Sequence, residues 1–230
     1  MGLDLYSKVE PYLGFDDEVK ELHKLFFEIV SEIKPKKLLD LGCGQGDFML
    51  SLPKKIEIKG IDLSAEQVQV CKEKGLNAQL IDIEDLHEKF DTITATFDVL
   101  NYVPKTNLST FIKHIYDSLE KGGYLVFDVN SKFAFEEIVT GAIVIDEDDK
   151  FITVDANYEE PDLKTRITLF TKEADDSFTK ETDSITQHFH SKEFLKKTLK
   201  KVGFDVEAVR EFYLFGYDEP DKLIFICKKD

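Results

Sequence analysis

The chain has 230 residues, 42% hydrophobic and 33% charged, the make-up of one soluble globular domain or of one domain carrying an insertion. Thirty Lys and Arg against 46 Asp and Glu leave a net charge of −16, which disfavours nonspecific attraction to nucleic acid or to an anionic membrane. No apolar run approaches the roughly 20 residues of a membrane span. Cys43, Cys71 and Cys227 form no CxxC pair, which points to a reducing cytoplasm and away from structural zinc.

Residues 3–15 hold Tyr6, Tyr12 and Phe15 without a period, and Pro11 breaks any continuous helix. From Asp16 the pattern turns helical, with Val19, Leu22, Phe26, Ile29 and Val30 on one face. Asp16, Asp17 and Glu18 favour its N-terminus and Pro35 closes it. Leu38, Leu39 and Leu41 then lead into three glycines, Gly42, Gly44 and Gly46, followed by Phe48-Met49-Leu50. This order predicts a buried parallel strand, a tight loop and a helix start. Glycine there permits positive φ and lets a ligand approach the backbone, while amides at the helix start face that ligand. The spacing departs from the dinucleotide fingerprint, which needs glycine where this chain has Asp47. Asp47 and Asp40 would repel a pyrophosphate, so the loop suits a ligand with a cationic end.

The run Asp40-Leu-Gly-Cys-Gly-Gln-Gly46 resembles motif I of the class I S-adenosylmethionine-dependent methyltransferases. That resemblance implies that Asp40, Gly42, Gly44 and Gly46 contact the cofactor, with Cys43 contributing backbone. It also implies that an early tyrosine, Tyr6, folds over the cofactor as a lid. A glycine loop by itself leaves a strand-turn-helix without ligand open.

Residues 56–62 predict a second strand ending in Asp62, 20 positions after Gly42, where a carboxylate can accept two hydrogen bonds from a ribose diol. Dinucleotide enzymes share this device, so Asp62 supports an adenosine ligand without choosing among them. Leu63 adjoins it on the cofactor side, and Ser64 caps the next helix. A third strand runs over 79–85. By the resemblance, Asp82 meets the adenine amine and Ile83 covers the ring edge.

Residues 90–98 predict the fourth strand, and 99–104 its exit at the end where open parallel sheets bind ligands. Phe97, Asp98, Asn101 and Tyr102 are the reaction-centre candidates, Phe97 on the cofactor side and Tyr102 as the catalytic ring. This segment is similar to a bacterial subgroup of the family and, more loosely, to the sugar-amine N,N-dimethyltransferases. In the latter, a polar ring at the position of Tyr102 lies near the acceptor. A packed aromatic with a wet hydroxyl is the other reading of Tyr102. Methyl transfer from a sulfonium depends chiefly on holding donor and acceptor together, with a base needed only where the acceptor must lose a proton.

A helix over 108–119 is expected to end at a Lys121-Gly-Gly cap, and 124–130 is a fifth buried strand. Between Ser131 and His190 the helix-strand alternation stops. A short helix over 133–140 precedes β-rich stretches at 142–145, 151–158, 165–171 and 177–190, separated by Asp/Glu/Pro turns. The resemblance implies a small antiparallel sheet shaping the acceptor pocket. The chain thus divides into a core of 1–130 plus 191–230 and an insertion of 131–190. Along the last stretch Thr182, Ser184, Thr186, His188 and His190 alternate with Ile185 and Phe189. That polar row makes His188 and His190 catalytic candidates beside Tyr102; as a metal pair they lack a third ligand. Ser191 caps a helix over 194–202, and 203–212 with 222–227 form a closing hairpin.

The expected fold is α/β: a Rossmann-like, doubly wound seven-stranded sheet with a small antiparallel β insertion. The expected function is transfer of a methyl group from S-adenosylmethionine to a nitrogen or oxygen of a small soluble acceptor. The chain would act as a monomer or homodimer, with neither nucleic acid nor membrane as partner and no metal. Methylation of a protein or tRNA, and a non-catalytic S-adenosylmethionine-binding module, are the open alternatives.

Overall fold

Two sheets organise the chain in its computed structural model, which describes residues 2–230. The first has seven strands. At its centre lies β1 (Lys37–Leu41), followed by the short helix α3 (Asp47–Ser51) and flanked in parallel by β2 (Glu57–Asp62) and, on the other side, β4 (Phe90–Ala95). β3 (Ala78–Leu80) forms the edge beyond β2. On the opposite wing β5 (Leu119–Asn130) follows β4 in parallel. β11 (Lys222–Lys229) then runs antiparallel between β5 and β10 (Phe204–Phe212). The order is β10-β11-β5-β4-β1-β2-β3, the doubly wound Rossmann-like arrangement.

Alternation along the strands sorts side chains to two faces. On one, Leu38, Val126 and Ile224 meet Leu22, Phe26, Ile29 and Val30 of α2 (Asp16–Ile33). On the other, Leu39, Ile93, Leu125 and Phe127 meet Ile112 and Ile115 of α5 (Leu108–Ser118) and Leu195 and Leu199 of α6 (Lys192–Val202). Each such fully buried chain contributes about 1.5–3 kcal/mol, which makes this sheet the rigid platform of the molecule.

Three local expectations change. α5 stops at Ser118, so Lys121-Gly-Gly is not its cap; it lies inside β5, where the pairing with β4 shifts register between Phe90 and Thr92. The third strand covers only Ala78–Leu80, and the chain then enters a single helical turn, Ile83–Asp85, with Asp82 Oδ1 accepting from the Glu84 amide at 3.2 Å. The fourth strand ends at Ala95, because Phe97 (φ 59°) and Asp98 (φ 54°) both take the left-handed conformation. That conformation costs roughly 1–2 kcal/mol per residue outside glycine. Strain of this kind is tolerated where surrounding contacts over-determine the backbone, as they do at Asp98.

The second sheet is antiparallel, in the order β6 (Gly141–Asp146), β7 (Lys150–Glu159), β8 (Asp162–Lys172) and β9 (Phe178–His188). One helical turn, Ala134–Ile138, precedes it. The N-terminal helix α1 (Leu3–Val9) packs on this sheet rather than on the first. Leu5 and Val9 share an apolar cluster with Ile152, Val154, Ile167, Leu169 and Ile185. Polar contacts tie the same helix to α4 (Ala65–Glu73): Ser64 Oγ donates to Asp4 Oδ1 at 2.6 Å and Ser7 Oγ to Glu66 Oε2 at 3.2 Å. The arm, grouped by sequence with residues 1–130, thereby joins the insertion as a cap over the strand ends. Among the described residues, no helix is long and apolar enough to cross a membrane.

Candidate active site

The loop after β1 is pinned to the end of β2, because the amides of Gly42 and Cys43 both donate to the Ile61 carbonyl, at 2.8 and 3.1 Å. Its glycines are needed for different reasons. A Cβ on Gly46 (φ 81°) would lie 2.3 Å from Leu76 Cδ1 and 3.0 Å from Cys71 Sγ, so that glycine lets α4 pack closely. Gly44 (φ 52°) has nothing within 4 Å of that position and faces a large cavity. The Gly44 amide donates to Asp62 Oδ2 at 2.9 Å and the Ser64 amide to Oδ1 at 2.8 Å, which aims the carboxylate. Burial pushes the Asp62 pKa up, and these backbone amides hold it back. Each oxygen keeps a lone pair for a hydroxyl donor.

Tyr6, Gly42, Cys43, Leu63, Asp82, Ile83 and Phe97 line the same cavity as Gly44 and Asp62. Asp40 and Gly46 do not. Asp40 lies beneath the loop, 1% exposed, with Oδ1 accepting from Thr94 Oγ1 at 3.0 Å and Oδ2 without a partner. Burial pushes its pKa up to about 7, and from beneath the loop it forms no part of the wall. Glu10, which no sequence signal marks, is on the wall. Its pKa is raised by burial, and Asp47 and Asp62 add to the rise.

At the other end of the cavity stand Tyr102, Asp98, Gln187 and Lys222. Burial, with Asp98 nearby, drives the Tyr102 hydroxyl above its ordinary pKa, and burial with Glu10 does the same to Tyr6. Both phenols stay protonated at neutral pH, so they can donate hydrogen bonds but do not act as phenolate bases. Asn101 sits behind the wall as a brace: its Oδ1 accepts from the Asn130 amide at 3.0 Å, and its Nδ2 donates to the His188 carbonyl at 2.8 Å.

The two histidines are not brought to the cavity. The wall takes residues 183–187 of β9 and stops short of His188. His188 Nδ1 pairs with Asp162 Oδ1 at 2.8 Å across the β8–β9 ladder. His190 is 2% exposed; its Nε2 donates to the Val103 carbonyl at 3.0 Å, Nδ1 has no partner, and burial lowers its pKa. The physical reason is position along the strand: residues of both parities from 183 to 187 reach the wall, while His188 closes the β8–β9 ladder against Asp162 and His190, past the strand end, is held by the Val103 carbonyl.

Gln187 therefore occupies the place expected of the histidines. Its Nε2 donates to Asp98 Oδ2, and Lys222 Nζ donates to Asp98 Oδ1 at 2.8 Å. Lys222 also donates to Asp128 Oδ2 at 2.8 Å and to Asn130 Oδ1 at 2.9 Å. Burial opposes the lysine charge, but Asp128 and Asp98 outweigh it and hold the ammonium above its ordinary pKa. Burial raises Asp128 despite Lys222. Beside this cluster, Asp221 orders the loop before β11 by accepting from the amides of Leu214 and Phe215, both at 2.8 Å, and both of those residues line the cavity.

The cavity measures about 1410 Å³ and runs unbroken from Gly44 to Gln187. That exceeds the roughly 300–1,000 Å³ of a single small-molecule pocket, leaving room for two ligands end to end.

A family model described as a methyltransferase domain matches residues 15–209. A protein of Geobacillus sp. (strain WCH70), whose given name is that of a methyltransferase, is 26% identical over 210 residues, covering 84% of this chain and 85% of that one. Among solved structures, an S-adenosylmethionine-dependent methyltransferase from Clostridium acetobutylicum ATCC 824 aligns with a TM-score of 0.79 at 21% identity, over 98% of this chain and 96% of that one. An amino pentose methyltransferase from Micromonospora echinaspora, solved with S-adenosylmethionine bound, aligns with a TM-score of 0.68 at 16% identity, over 91% and 92%. At these identities the two structures speak for the fold.

Proposed function

The chain belongs to the S-adenosylmethionine-dependent methyltransferases, and from that premise we propose that it methylates a nitrogen or oxygen of a small soluble molecule held beneath the cap. The observation that carries this reading is the single cavity with room for a nucleoside and a second small ligand, roofed by α1 and the antiparallel sheet. When bound, S-adenosylmethionine supplies a methyl carbon already activated by its sulfonium. The open Cα face of Gly44 and the aimed carboxylate of Asp62 fit the ribose end of such a nucleoside.

In this reading Asp62 accepts from the ribose hydroxyls. Asp82 meets the adenine amine over Ile83, and Leu63, Gly42 and the Cys43 backbone complete the cradle. Tyr6 and Phe97 enclose the sulfonium end, with Glu10 as a further carboxylate toward the cationic part. Tyr102 offers its protonated hydroxyl to the acceptor. Little acid-base chemistry is asked of these groups. Holding two reactants at attack distance and excluding water supplies much of the rate, which is the work of a roofed, rigid-walled cavity.

Calorimetric titration with S-adenosylmethionine, followed by turnover of methyl-labelled cofactor against metabolite, peptide and tRNA pools, tests the reading. Label in the small-metabolite pool supports it, and label confined to peptide or tRNA overturns it.

A further inference from the structure

We propose that Gln187, aimed by the Asp98–Lys222 pair, selects a hydrogen-bond-donating amine as methyl acceptor and shuts out carboxylates. The inference rests on the methyltransferase reading above and narrows its acceptor. An ionised carboxylate only accepts, so the Gln187 amide must turn its NH2 toward Asp98 Oδ2. Its carbonyl oxygen Oε1 is left toward the cavity with no hydrogen-bond partner among the described residues. An acceptor that can donate N–H meets a fixed oxygen there. One that carries only lone pairs meets repulsion.

Lys222 does not rescue an anionic acceptor. An ammonium has three N–H donors. All three are committed, to Asp98 Oδ1, Asp128 Oδ2 and Asn130 Oδ1. Among the described residues it is the one lysine on the cavity wall, which has no arginine and carries nine Asp and Glu side chains. A carboxylate entering this space would be stripped of water without gaining a cationic partner, a large cost. An ammonium entering it is drawn in by the same charges.

The transfer balances as follows. The bound ammonium gives one proton to solvent and exposes its lone pair. The new N–C bond forms as the C–S bond breaks, and the bonding pair stays on sulfur as a neutral thioether. The product leaves as a methylated ammonium, with one proton released per turnover. A carboxylate would release none.

The test uses the full chain loaded with S-adenosylhomocysteine and titrated with primary and secondary amines, each matched to a carboxylate of the same skeleton. At least one amine is expected to bind at least tenfold more tightly than its carboxylate partner. In Gln187→Leu that preference falls about tenfold, through Kd for the amine rather than Kd for the carboxylate, while affinity for S-adenosylhomocysteine is unchanged. Tighter binding of carboxylates, an amine set that leaves the loaded protein untouched, or a preference unaltered in Gln187→Leu overturns the proposal. The wild-type comparison needs no variant to fold. Failure of the wild-type chain to bind S-adenosylhomocysteine would count instead against the methyltransferase reading, so the two failures are distinguishable.

Discussion

The two ends of the cavity are built in opposite ways. The cradle proposed for the cofactor is local: loop, Asp62 carboxylate and the Ser64 helix cap come from residues 42–64, and the hydrogen bond from Gly44 to Asp62 spans 18 residues. The acceptor end is assembled from distant pieces. Asp98 meets Gln187 across 89 residues and Lys222 across 124. A local site is rigid because one strand-turn-helix unit holds it, whereas a distributed site is ordered only when both sheets are in place. The first suits a ligand shared by a whole family, and the second can change its partner by altering one strand of the insertion.

The sharpest break of this contrast is Lys222→Met. It leaves Asp98 and Asp128 facing each other without a cation, and should cost about 3–5 kcal/mol, read as a fall in Tm. Burial already raises Asp128, so in the variant the folded state binds more protons than the unfolded one. Stability is then lost as pH rises, and the deficit should be larger at pH 8 than at pH 5 in thermal melts.

Next in size is a pair of glycine variants within the local end. Gly46→Ala combines the left-handed cost of roughly 1–2 kcal/mol with about 1–3 kcal/mol of overpacking against Leu76 and Cys71, and should destabilise the fold visibly in denaturant titration. Gly44→Ala carries the backbone cost alone but places a methyl group where the cofactor approaches, so its loss should appear mainly in cofactor binding. Equal losses of stability in the two would remove the distinction drawn between them.

Asp62→Asn should weaken S-adenosylmethionine by about 10–100-fold, the equivalent of one charge-assisted hydrogen bond of roughly 1.5–3 kcal/mol. Acceptor binding to the S-adenosylhomocysteine-saturated protein should not move. Calorimetry on both ligands checks this, and a loss at both ends would show that they are coupled.

The last effect is the smallest over any single pH unit and is read as a slope. Asp40 titrates near pH 7 in the folded chain, against an ordinary 3.8, so the folded state holds its proton longer than the unfolded state does. Its contribution to stability is complete below about pH 4, declines as pH rises toward 7 by up to about 1.4 kcal/mol per unit, and is flat above. His23, lowered by burial to about 4, acts with the opposite sign between about 4 and 6.5. Subtracting the Asp40→Asn curve from that of the wild type cancels the histidine and isolates the carboxylate. The variant should gain relative stability up to about pH 7, and parallel curves would contradict the placement of Asp40.

The glycine loop, the acid ending β2 and the inward stripe of α2 were all legible because each lies in one short, periodic stretch. Asp40 was legible as a residue but not as a place: sequence puts it at the strand end, and only packing shows it beneath the loop rather than on the wall. His188 and His190 drew attention because histidine is chemically conspicuous, while Gln187, just before them, shares the parity of Ile185 and passes for core. Lys222 looks like an ordinary lysine opening a strand.

What the sequence determined by itself was the α/β order, the glycine loop after β1 and the carboxylate that ends β2. Those follow from spacing within single strand-turn-helix units, where covalent geometry fixes which groups can meet. The acceptor end, the cap formed by α1 with the insertion, and the exchange of two histidines for one glutamine were decided by the tertiary structure. They depend on how one sheet is laid over the other, and no local periodicity encodes which residues of two distant strands will share a hydrogen bond.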